Sequence, residues 1–62
     1  MEKSETIKKA RAYKHRMIDE HPDNVMEIVE LFSLMMTNVS NGSDVDDEFE
    51  AFVKSTNKLF ND

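Results

Sequence analysis

Cysteine and tryptophan are absent from this 62-residue sequence, and glycine and proline occur once each, as Gly42 and Pro22. Without cysteine there are no disulfides and no thiolate metal ligands. A single glycine leaves nothing from which to build a glycine-rich phosphate cradle. The longest apolar stretch, residues 25–39, is fifteen residues long and contains two glutamates, short of the roughly 20 apolar residues a membrane span requires. The opening Met1-Glu2-Lys3-Ser4-Glu5-Thr6-Ile7-Lys8-Lys9 lacks the apolar segment of a secretory leader, so the cytoplasm is the expected compartment and no membrane is an expected partner.

A chain this short makes one domain with a small core. Surface scaling gives an unfolded area of about 10,400 Å² and a folded area of about 4,100 Å². If about 60% of the buried area is apolar, burial contributes about 95 kcal/mol, against an ordering cost of about 93 kcal/mol. Small proteins tip so close a balance with disulfides, a metal or oligomerisation. Disulfides being excluded, self-association becomes the natural expectation.

What the sequence does contain is helical periodicity, in three segments at about residues 4–20, 24–40 and 44–60, with no strand alternation. In the first, Ser4 is a candidate N-cap, and Ile7, Ala10, Tyr13, Met17 and Ile18 form a thin apolar stripe. Pro22 pushes His21 out of helical conformation and ends that helix. Asn24 with Glu27 resembles a capping box, so the second helix should begin at Val25. That helix is apolar nearly all round, and only Glu27, Glu30, Ser33, Thr37 and Asn38 interrupt it. Gly42 suits a left-handed helix stop, and Ser43 or Asp44 suits the next cap. Val45, Phe49, Phe52, Val53, Thr56, Leu59 and Phe60 then recur at spacings of 4, 3, 1, 3, 3 and 1, the clearest amphipathic stripe in the chain.

The short linker predicts an antiparallel hairpin of the second and third helices. Neither neighbour can cover all of the second helix. The expected fold is therefore an all-α helical bundle that dimerises, with Leu31, Phe32, Met35 and Met36 as the dimer or partner interface. For Met35 and Met36 the alternatives of core, seam and partner groove stay open, whereas Met26 is expected in the core.

Charge is unevenly distributed. Net charge is −5, yet residues 1–18 carry a balance of +4 and residues 19–62 one of −9. Lys8, Lys9, Arg11 and Arg16, with Tyr13 and Lys14 among them, could grip phosphates and stack on a base. The favoured reading is plainer: this basic helix faces solvent or the acidic remainder, since an acidic molecule repels nucleic acid at range. Asp44, Asp46, Asp47 and Glu48 sit where a helix dipole favours negative charge, and their spacing does not match a calcium loop. His15 and His21 do not share a helix face. An exposed pair with Asp19 is expected for the first and a place in the turn for the second.

No nucleophile with a paired base, no pair of buried carboxylates on a common face and no metal-ligand spacing can be found, so no enzyme activity, cofactor or metal is expected. The expected function is that of a small acidic protein-binding regulator or adaptor. Glu27, Glu30, Asp44, Asp46 and Asp47 would attract a basic surface, or mimic nucleic-acid charge, and the apolar second helix would anchor it. The alternatives are a nucleic-acid-binding dimer presenting the basic first helix and a self-assembling structural unit.

Overall fold

The computed structural model describes residues 3–61, and among these the chain is all-α: α1 spans Lys3–Glu20, α2 spans Val25–Ser40 and α3 spans Val45–Asn61. Expected boundaries differ from these by a residue or so. A 3₁₀ turn, Pro22–Asn24, separates α1 from α2. His21 is held at φ −134°, ψ 65° in front of the proline ring, and the last α1 bond runs from its N–H to the Met17 carbonyl at 2.8 Å.

α2 closes in a Schellman motif. The Gly42 N–H donates to the Val39 carbonyl at 3.1 Å and the Ser43 N–H to the Asn38 carbonyl at 3.0 Å. Gly42 has φ +105°, a conformation that disfavours any side chain. Asp44 then caps α3 by accepting from the Asp47 N–H at 3.0 Å. The start of α2 departs from expectation. Asn24 makes no side-chain cap bond; its amide donates to the Glu27 carboxylate at 2.9 Å, so the two side chains satisfy each other.

Each helix packs against the other two. Ala10, Met35, Val39, Val45 and Phe52 form the buried core, with Ile7, Tyr13, Leu31, Phe32 and Phe49 packed around it. Ala10 is fully buried, and its small side chain lets α1 approach closely. The folded surface is 4254 Å², near the scaling value for this mass.

Two threonines are buried as deeply as any apolar residue, Thr6 at 1% and Thr56 at 0% exposure. Thr6 Oγ1 donates to Asp46 Oδ1 at 2.8 Å, tying the start of α1 to the start of α3. Thr56 Oγ1 donates to the Val53 carbonyl at 2.9 Å. Its one proton being committed there, the 2.6 Å contact with the Tyr13 hydroxyl must have Tyr13 as donor. Among the described residues no buried side-chain polar atom lacks a partner.

Two sequence expectations need correction. Met26, expected in the core, is 71% exposed, because α1 and α3 cover the opposite side of α2. His15 forms no ion pair with Asp19 among the described residues; the pair present is Lys54 with Glu50, 3.1 Å apart on the surface of α3.

Candidate protein-binding groove

α2 has two flanks, and its neighbours treat them differently. On the flank facing α1, Phe32 packs edge-on against Phe52 with centroids 5.8 Å apart, and the Lys14 ammonium lies 4.5 Å from the Phe32 ring centre. Tyr13 meets Phe52 at 5.5 Å and Phe49 at 6.3 Å, both edge-to-face. Large rings fill this seam.

On the other flank, α2 presents Leu31 and Leu34 to the α3 row Ala51, Ser55 and Leu59. Residues four apart on a helix share a face, and the first two of that row are too small to reach across. An open groove of about 530 Å³ results, lined by Glu27, Glu30, Leu31, Leu34, Ser55, Lys58 and Leu59. A shallow extension of about 40 Å³ continues it past Ala51 to Glu48, with Met35 and Phe52 contributing. Leu34 is 57% and Leu59 38% exposed. Glu27 and Glu30 from α2 and Lys58 from α3 supply charge of both signs along this groove. Among the described residues, Glu30 and Lys58 line the same stretch without pairing to each other.

The residues expected at an interface are thus dispersed. Leu31 lines the groove, whereas Phe32 belongs to the aromatic seam. Met35, 2% exposed, sits in the core and touches the groove only at its shallow end; a seam role for it is corrected by that burial. Met36 is half-buried. Leu34 and Leu59 were the missed residues, and the available signal was the small-small-large row Ala51, Ser55, Leu59.

The expected acidic surface divides in two. Glu27 and Glu30 lie at the beginning of α2, while Asn38, near its end, donates to Glu48 of α3 at 2.9 Å. At 1.5 Å per residue, that places the Asp44, Asp46 and Asp47 group about 12–17 Å further along α2. All three are exposed, although Asp44 also caps α3 and Asp46 also accepts from Thr6. Among the described residues, no three His, Asp or Glu side chains are placed to hold a metal ion.

Lys8, Lys9, Arg11 and Arg16 of α1 are all exposed, spread over an arc of about 160° on the side of the helix opposite its buried Thr6, Ala10 and Met17. The Arg16 guanidinium rests 5.3 Å from the Tyr13 ring centre. His21 is stacked on Phe60, with centroids 3.7 Å apart and planes 9° from parallel, so it joins the ends of α1 and α3 as well as shaping the turn. Among the described residues no helix is long and apolar enough to cross a membrane.

Compared with known proteins, the chain matches no family model, no curated protein sequence and no solved structure.

Proposed function

We propose that this chain is a small, acidic, non-enzymatic protein-binding regulator or adaptor that acts as a homodimer, built on an antiparallel α2–α3 hairpin. The observation that carries the reading is the groove: with all three helices packed, Leu34 and Leu59 still face solvent across an open apolar channel. Contiguous exposed apolar surface with a charged rim is the usual mark of a macromolecular contact. The hairpin reading is supported by the lining of one groove by Glu27 of α2 and Lys58 of α3, together with the bond between Asn38 and Glu48 at the other end. The exposed acids Asp44, Asp46 and Asp47 supply the attraction to a basic protein surface.

The nucleic-acid alternative is weakened by the −5 net charge. An affinity capture at low salt from lysate of the native cell, with and without nuclease, distinguishes the two. The informative variant is the triple change Asp44→Asn, Asp46→Asn and Asp47→Asn. Asparagine can still cap α3 and still accept from Thr6, so charge is removed and the fold retained. The adaptor reading expects a stoichiometric protein held by the wild type, resistant to nuclease and lost with the triple variant. Retained nucleic acid that nuclease removes would overturn it.

A further inference from the structure

We infer that the groove between α2 and α3 is covered by the same groove of a second copy, about a two-fold axis running along it, so that Lys58 of each chain meets the partner's Glu30. This inference rests on the homodimer reading above and adds where and how the copies meet. An isologous contact must be self-complementary, and the rim of this groove is. It carries acids on its α2 side and a lysine on its α3 side, lining the same stretch. A half-turn about an axis along the groove lays α2 of one copy over α3 of the other and leaves position along the groove unchanged. Glu30 therefore arrives opposite the partner's Lys58, and the symmetry makes two such pairs.

The apolar strip is self-complementary in the same rotation. Leu31 and Leu34 come over the partner's Ala51, Ser55 and Leu59, where the two small residues leave room for the partner's leucines. A standard interface takes about 800 Å² from each partner, roughly a fifth of the 4254 Å² surface. The molecule measures 31 × 18 × 16 Å, so a contact of that size takes in most of one long face, with the flanks of α2 and α3 joining the groove. An unrelated basic helix in the groove would suit Glu27 and Glu30 but oppose Lys58, so a second copy fits the rim better.

Sedimentation equilibrium at high micromolar concentration, with circular dichroism to confirm folding, tests this. Wild type is expected to be a dimer and Leu34→Glu a folded monomer. Val29→Glu, an apolar-to-acid change at a site 41% exposed and about 140° away around α2, should remain dimeric. Lys58→Glu alone and Glu30→Lys alone should each weaken dimerisation on the order of tenfold at low salt. Mixed in equal amounts they should restore it, because each mixed dimer regains both opposite-charge pairs. Single variants that do not weaken the dimer, or a mixture that does not recover it, would overturn the proposed axis. A wild-type dimer indifferent to Leu34→Glu would overturn the groove as its site while leaving the dimer reading standing. A monomeric wild type would overturn both, and the acidic-surface capture would still stand or fall separately.

Discussion

Along the seam where α1 lies against α2 and α3, every aromatic residue of the chain is in ring contact: Tyr13, Phe32, Phe49 and Phe52 with one another, and Phe60 with His21. Along the outer seam between α2 and α3, leucines face alanine and serine, and about 530 Å³ stays open. The same two helices border both seams. Side-chain volume on the two flanks of α3 therefore separates a surface that holds the fold together from one left available for contact, and burial of the first lets the second remain exposed.

The largest expected effect comes from breaking the closed seam. Phe52→Ala removes a 3% exposed ring that meets both Tyr13 and Phe32. Its expected cost is about 3–5 kcal/mol, enough in so small a domain to abolish the cooperative thermal transition seen by circular dichroism.

Next is the hydroxyl relay. Thr56→Val keeps the shape but leaves the Tyr13 hydroxyl without its acceptor, at an expected cost of about 1–3 kcal/mol in urea unfolding. Adding Tyr13→Phe removes the stranded donor, so the double variant should be more stable than Thr56→Val alone. Lys14→Gln, which removes the cation over Phe32, should cost about 0.5–1 kcal/mol by the same measurement.

The smallest effect belongs to the open seam. Leu34→Ala should change monomer stability by no more than about 0.5 kcal/mol when unfolding is followed at low protein concentration. A cost comparable to that of Thr56→Val would mean that Leu34 is part of the chain's own core and that the two seams are not distinct.

Helix extents were legible because their punctuation is local. Pro22, Gly42, Asp44 and the stripe from Val45 to Phe60 act within a few residues of themselves, and the structure uses each as its chemistry suggests. Orientation of α2 was not legible in the same way. A helix apolar on most of its circumference offers several equivalent faces, and which is covered depends on partners far along the chain. Met26 was misjudged for that reason and points to solvent, while the alternatives left open for Met35 were decided only by the packing, which puts it in the core. Thr6 is buried by a bond to Asp46, forty residues away, a pairing that no periodicity reports. The groove itself is a deficit of volume at Ala51 and Ser55, and a deficit shows only once the facing residues Leu31 and Leu34 are known.

The most direct test of the account is a search for cross-copy contacts by isotope-filtered NMR, on an equal mixture of carbon-13-labelled and unlabelled protein. Methyl contacts between Leu31 or Leu34 of one copy and Leu59 of the other are the predicted result. Their absence, with diffusion matching the 7.2 kDa chain, would contradict the claim that this groove is where the molecule meets its own kind.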